Sequence, residues 1–209
     1  MKSENGTVMV VDDDPALRNA MRILLRSVGL ESKLFASAQE FLDSYQPSEV
    51  GCLVLDIRMP GMSGLDLQEQ LNKRGAVIPV IFMSGHGDIP MAVEAMQHGA
   101  FDFLQKPFRD QDLLDRIRRA IAKHQDLCKS LGEHDRIRGL LDLLTPRERE
   151  VLDLMAQGKQ NKAIAQVLNV SPRTIEIHRS RVMEKMNAHS VAELVRMMLD
   201  VGRDSLASR

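Results

Sequence analysis

Only two cysteines occur in these 209 residues, Cys52 and Cys128, and they do not stand at metal-ligand spacing. Cys52 falls in an apolar run and Cys128 in a polar stretch, so both read as reduced thiols of a reducing compartment. No apolar run approaches the roughly 18 residues that a membrane-spanning helix needs. The opening Met1-Lys2-Ser3-Glu4-Asn5-Gly6 lacks the apolar centre of a secretory signal. A soluble, cytoplasmic protein without a membrane partner is therefore expected. Net charge is −1, so bulk charge argues for no particular partner. Low-complexity tracts and repeats of fixed period are also missing, which leaves ordinary globular domains. A hydrophobic content of 44% is enough for a buried core, and the length allows one or two domains.

Cys52-Leu53-Val54-Leu55-Asp56-Ile57-Arg58-Met59-Pro60-Gly61-Met62-Ser63-Gly64 is the most informative stretch. Four apolar residues run into one aspartate, as in a strand of a parallel sheet buried on both faces. Proline and glycine then break the chain. Asp56 thus sits at the carboxyl end of a strand, where ligands bind in open α/β sheets. A lone Asp in such a place is more often a helix cap, so the rest of the chain must decide.

Other segments repeat the design. Thr7 to Val11 is a short apolar strand ending in Asp12-Asp13-Asp14, and Asp14-Pro15 has the form of a helix start. Leu17, Met21, Leu24, Leu25 and Val28 follow at helical spacing until Gly29. Leu30 to Phe35 fits a second strand, and Ser37 to Glu40 has capping-box spacing. Helix is expected over Leu65–Leu71 and Met91–Gln97, and strand over Pro79–Ser84 and Ala100–Leu104. A longer helix begins near Asp110. This alternation implies a parallel sheet with helices on both faces. Its strand ends carry Asp12 and Asp13, Asp56, Ser84 and Lys106, all brought to one edge.

Clustered carboxylates repel unless a cation joins them. Hard oxygen ligands of this kind suit Mg²⁺ held by carboxylates and phosphate. Such a cation and a lysine ammonium, with a serine hydroxyl opposite, make a cradle for a phosphoryl group, whose transfer depends mostly on positioning and charge stabilisation. A carboxylate can itself be the nucleophile. Asp56, the acid at the centre of the sheet, is the candidate acceptor.

Val10-Val11-Asp12-Asp13, Leu53 to Gly64, Met83-Ser84-Gly85-His86-Gly87 and Lys106-Pro107-Phe108, in this order, resemble the receiver domain of two-component response regulators over roughly residues 6–124. The resemblance implies a flavodoxin-like (βα)5 sheet in the order 2-1-3-4-5. It also implies Mg²⁺ (or Mn²⁺) held by Asp13, with Asp12 in support and Asp56 and the backbone carbonyl of Arg58 as further ligands. Ser84 would be the switch hydroxyl, Phe103 the switch aromatic and Lys106 the phosphoryl-binding cation. The family often has threonine and tyrosine at the Ser84 and Phe103 positions; phenylalanine removes any polar contact such a tyrosine makes. A cis Lys106-Pro107 bond and dimerisation through the fourth helix and fifth strand are also implied, with Ile89, Pro90, Val93 and Phe101 as candidates. Val93 and Phe101 have core positions as the alternative.

His124 to Leu144 reads as a helix extension or linker interrupted near Gly132 and Gly139. Thr145-Pro146-Arg147-Glu148 has capping-box spacing with proline at the first helical position. Short helices from Asn161 and from Ser171-Pro172 flank a turn at Asn169-Val170, and Ser190 to Glu193 opens a fourth helix. Two short helices with a tight turn are the helix-turn-helix arrangement. Lys159 to Lys185 holds six Lys/Arg against two Glu in an otherwise balanced chain, the footprint of a nucleic-acid site.

Leu144 to Leu152, Asn161 to Ala165 and Ser171 to Met186 resemble the LuxR-type DNA-binding domain over roughly residues 141–201, and the whole chain resembles the FixJ subfamily. The expected domains are a receiver at 1–124, a partly helical linker at 125–140 and an all-α, four-helix domain at 141–209. On the helix from Ser171, the face of Arg173, Glu176, Ile177 and Ser180 lies opposite Ile175, Val182 and Met186. The first four are candidates for base contacts in the major groove. Lys162, Thr174, Arg179, Arg181 and Lys185 are candidates for phosphates. The expected protein is a transcription factor, an activator, that is not an enzyme beyond its own phosphorylation and dephosphorylation. Its partners would be a sensor histidine kinase, double-stranded operator DNA, RNA polymerase and, once phosphorylated, a second copy. An adaptor that binds proteins through its helices, or a receiver controlling an enzyme, are the rivals; residues 141–201 show no catalytic constellation.

Overall fold

The computed structural model describes residues 6–47, 49–85 and 89–207, with side chains through Asp200 apart from Ile89. The chain divides into two compact units, Met1–Cys128 and Lys129–Arg209.

In the first unit, β1 (Thr7–Val11), β2 (Glu31–Phe35), β3 (Gly51–Asp56), β4 (Val80–Ser84) and β5 (Asp102–Gln105) form one sheet in the order β2-β1-β3-β4-β5. Every pairing is parallel. Helices α1 (Pro15–Ser27), α2 (Ala38–Ser44), α3 (Gly64–Lys73) and α4 (Ile89–Gln97) connect the strands, and α5 (Asp110–Asp142) follows the last. The sequence places these elements within a few residues. Two-residue shifts occur at α4, which begins at Ile89 rather than Met91, and at β5, which begins at Asp102 rather than Ala100. Ala100 and Phe101 instead close the turn after α4 through amide bonds to Ala95 O and Val80 O.

Strand periodicity of two sorts the apolar runs onto two faces. Met9, Val11, Leu53, Leu55 and Phe82 pack with Phe41 of α2, Leu67 of α3 and Ala95 of α4. Val8, Val10, Val54, Ile81 and Met83 pack with Met21 and Leu25 of α1 and Leu113, Ile117 and Ile121 of α5. Both faces are covered, so the central strands are continuous apolar runs. In β1, β3 and β4 polar groups remain only at the strand ends.

Helix starts follow the sequence signals. Asp14 caps α1 ahead of Pro15, and Ser37 caps α2. The reciprocal bond expected from Glu40 goes to the Ala36 amide, one residue early. Ser63 and Asp66 form a complete capping box at α3, which the sequence reading passed over.

The second unit holds the end of α5 with α6 (Pro146–Ala156), α7 (Asn161–Leu168), α8 (Pro172–Lys185) and α9 (Val191–Ala207). Its core is Ile137, Leu144, Val151, Leu152, Met155, Ile164, Ile175, Val182, Met186, Leu194 and Met197 with their neighbours. The expected interruption near Gly132 and Gly139 does not occur, because α5 is continuous to Asp142. Neither glycine has a positive φ, and a Cβ at either would meet nothing. The intrinsic cost of each, about 1 kcal/mol, is opposed by burial of Ile137 and packing of Leu140 and Leu141. The turn between α7 and α8 is made by Asn169 in the left-handed region, φ 58°, which asparagine tolerates better than most residues. Among the described residues no helix is long and apolar enough to cross a membrane.

Candidate functional site

The carboxyl ends of β1, β3, β4 and the residue after β5 bring Asp12, Asp56, Ser84 and Lys106 to one edge of the sheet. Lys106 Nζ lies 2.7 Å from Asp56 Oδ1 and 2.9 Å from Asp12 Oδ2. Asp12 is 1% exposed, and its other carboxylate oxygen accepts from the Asp14 amide at 2.9 Å. Arg18 of α1 donates to the Asp12 carbonyl at 2.6 Å. Asp12 is thus held on three sides, and Asp13 beside it is exposed. Ser84 is buried, and its hydroxyl donates to the Gly85 carbonyl at 3.3 Å. The Lys106-Pro107 bond is cis.

Burial pushes the Asp56 carboxyl above its ordinary range; Lys106 pulls it back, while Asp12 and Asp13 add to the rise. Burial alone would lower the Lys106 ammonium, but hydrogen bonds to Asp56 and Asp12 outweigh it and hold its pKa high. One ammonium therefore serves two carboxylates with a third acid adjacent, and the edge keeps a net negative charge. The oxygens expected there, of the Asp13 and Asp56 carboxylates and the backbone carbonyl of Arg58, are all hard donors. That set fits Mg²⁺ or Mn²⁺. Among the described residues no three acidic, His or Cys side chains already converge on a metal position; Asp12 and Asp56 both turn to Lys106.

Gly64, at the start of α3, fixes the height of Asp56. A Cβ there would lie 2.3 Å from the Asp56 carbonyl oxygen, and the Gly64 amide instead donates to Ile57 O at 2.9 Å. Phe103 is half-buried against the core face shared by α2, α3 and α4. On α4, Pro90 is exposed and Val93 is 52% exposed, next to Met96 at 47%, which the sequence reading did not single out. The side chain of Ile89 lies outside the described residues. Phe101 is not a free surface residue: it packs against the other core face, under Arg119 and Lys123 at 5.8 and 5.4 Å from its ring centroid.

In the second unit Arg173, Glu176, Ile177, Ser180 and Arg181 of α8 are exposed, whereas Ile175 and Val182 are buried. Ile177 is 50% exposed. Thr174 is half-buried, and its hydroxyl meets that of the capping Ser171 at 2.8 Å. Lys162 and Arg179 line an open groove of about 560 Å³ with Lys159, Gln160 and Asn161. Gln160 gives α7 no side-chain cap, so amides of its first turn are left for another acceptor.

Lys185, expected at a phosphate, has partners within the chain. Its ammonium lies 2.6 Å from Glu148 Oε2 and 3.1 Å from the Leu143 carbonyl. Glu148 is 2% exposed, and the lysine neutralises its charge. The spacing that identified Glu148 as a capping residue could not reveal a partner 37 positions away.

Residues 8–118 match the response regulator receiver domain family, and residues 142–198 match the bacterial regulatory proteins of the luxR family. The chain belongs to the response regulators. It is a two-component response regulator with a LuxR-type DNA-binding domain, a transcriptional regulator. Nodulation protein W of Bradyrhizobium diazoefficiens is 46% identical over 200 residues, covering 96% of this chain and 88% of that protein. Transcriptional regulatory protein FixJ of Azorhizobium caulinodans is 45% identical over 199 residues, covering 95% and 94%. Among solved structures, response regulator StyR aligns with TM-score 0.86 at 45% identity over 92% of this chain and 97% of that one. Full-length FixJ from B. japonicum aligns with TM-score 0.58 at 42% identity over 95% and 98%. The regulator therefore shares both domains with relatives of nearly its own length.

Proposed function

We propose that this regulator is phosphorylated on Asp56 by a partner sensor histidine kinase, and that the phosphorylated form dimerises and activates transcription from operator DNA. The observation that carries this is the shared ammonium: Lys106 bridges Asp56 and Asp12 at the sheet edge, beside the buried hydroxyl of Ser84. In the transfer, an Asp56 oxygen attacks phosphorus, the bond from phosphorus to the kinase histidine nitrogen breaks, and the nitrogen keeps the electron pair. Lys106 holds the acceptor oxygen in place and faces the charge that arrives. Asp13, Asp56 and the Arg58 carbonyl would hold Mg²⁺, which when bound supplies charge stabilisation to the phosphoryl oxygens. Ser84 turns its hydroxyl from Gly85 O to a phosphoryl oxygen, and Phe103 follows on the neighbouring strand. Val93 and Pro90 of α4 are the surface for a second copy.

For DNA, the exposed face Arg173, Glu176, Ile177 and Ser180 reads bases. Glu176 can accept from a cytosine amino group and Ile177 can touch a thymine methyl. Lys162, Arg179, Arg181 and Thr174 meet phosphates, and Lys159 with the uncapped start of α7 extends that contact. The site of action is the cytoplasm, where RNA polymerase is a further partner.

The test is Asp56→Asn in the full chain, incubated with acetyl phosphate and Mg²⁺. Labelling is expected to vanish, and the shift to dimer in sedimentation with it. Undiminished labelling would move the acceptor to Asp12 or Asp13.

A further inference from the structure

We infer that the first turn of α6 is the positioning node of the recognition helix, with Lys185 and Arg147 acting on DNA recognition without touching DNA. This rests on the reading of α8 as the DNA-recognition helix.

Consecutive residues in that turn grip different segments. Arg147 donates to the Leu168 carbonyl at 2.5 Å, at the end of α7 where the left-handed Asn169 begins the turn. Its other terminal nitrogen meets Glu150 at 2.7 Å, which fixes the guanidinium in plane. Glu148 accepts from Lys185, the last residue of α8, and from the Thr145 amide at 2.9 Å. Arg149 donates to the Leu141 carbonyl at 2.7 Å, at the end of α5. Lys185 also donates to Leu143 O in the loop between α5 and α6. One helical turn thus holds the end of α7, the end of α8 and the end of α5.

The geometry bears on recognition because α8 is anchored at both ends by different means. Its start is set by the Ser171 cap and the Asn169 turn, and that turn is held by Arg147. Its finish is set by Lys185. Between them Ile175 and Val182 are apolar contacts, which resist separation but resist rotation about the helix axis less. Directional bonds at the two ends supply that resistance, and the register of Arg173, Glu176 and Ile177 in the groove depends on it. The bonds hold firmly: Lys185 first and the Thr145 amide next bring the buried Glu148 carboxyl down to about 2, against burial, which alone would raise it.

The test uses the full chain and two duplexes: one selected by the parental protein from a random-sequence pool, and one scrambled. Lys185→Met keeps the length and apolar stem of the side chain and removes both of its bonds. Lys185→Arg restores a donor. Arg147→Met removes the tie to Leu168. Circular dichroism confirms that each variant is folded at the assay temperature. Lys185→Met and Arg147→Met are expected to lose about tenfold in affinity for the selected duplex, with the scrambled duplex nearly unchanged. The slope of log K against log salt should stay that of the parent, and Lys185→Arg should recover most of the loss. Equal weakening on both duplexes, with a salt slope smaller by about one, would make Lys185 a phosphate contact and overturn the node. Parental affinity and selectivity in the folded Met variants would overturn it as well. A parental protein that selects no duplex would remove the DNA reading itself and the inference with it.

Discussion

Lys106 and Lys185 are both lysines at the end of an element, and both sit within 3 Å of a buried carboxylate. At the receiver edge one ammonium faces Asp12 and Asp56, with Asp13 adjacent, so charge is left over. In the second unit one ammonium faces one carboxylate, and a backbone amide and a backbone carbonyl complete the set. Burial raises the Asp56 pKa, whereas Lys185 and the Thr145 amide take that of Glu148 down to about 2. The unbalanced cluster keeps negative charge that a cation can answer; the balanced one is neutral and braces helix ends. Charge bookkeeping of this kind separates a site from a brace where residue type does not.

The largest effect should come from removing the ammonium at the unbalanced edge. Lys106→Met is expected to slow labelling by acetyl phosphate by about 10²–10³-fold, read from initial rates, without unfolding the chain. A rate near that of the parent would mean that Lys106 only screens the acids.

At the balanced cluster the loss should appear as stability. Glu148→Gln keeps an acceptor for the Thr145 amide but drops the charge, and should destabilise the second unit by about 2 kcal/mol. Hydrogen exchange over peptides of α6 and α8 measures it. The sign should reverse in the receiver. Asp13→Asn relieves repulsion and should stabilise that unit by up to about 1 kcal/mol, seen as a rise in its thermal midpoint. A loss of stability there would put the edge in the same class as the brace.

Acid should separate the units by a smaller margin. Burial lowers the pKa of His124, although a bond to Gly51 opposes it. The unfolded chain then binds a proton that the folded receiver refuses, so receiver stability falls as pH drops below about 6.5. The Glu148 carboxylate, depressed to about 2, contributes stability that is whole above its unfolded value of 4.5 and is lost on the way to 2. Exchange measured from pH 7 to 4 should show the receiver loosening first, and the reverse order would sink this assignment.

Much of this was legible in the chain. Apolar runs ending in Asp12, Asp56 and Ser84, with Lys106 after the last, imply their convergence, because a parallel sheet aligns its carboxyl ends. The caps at Asp14, Ser37, Thr145 and Ser171 are local patterns and are read locally. What escaped depends on distant partners. Lys185 looked like one more basic residue on α8, since only the fold brings Glu148 beside it. Phe101 could be placed on either side of the surface until Arg119 and Lys123 were seen above it. Gly132 and Gly139 read as breaks because propensity is local, whereas the packing of Ile137 is not.

Gly64 carries a consequence for how this protein can change by mutation. With the backbone of Asp56 and Ile57 in the space a methyl group would need, substitution there cannot be absorbed by a side-chain rotation. The strand end bearing Asp56 would have to retreat, carrying its carboxylate away from Lys106. Pro60, in the loop between β3 and α3, is exposed and has no comparable backbone in its way. The receiver thus has a rigid anvil under Asp56, with an exposed loop position beside it that can change without moving it.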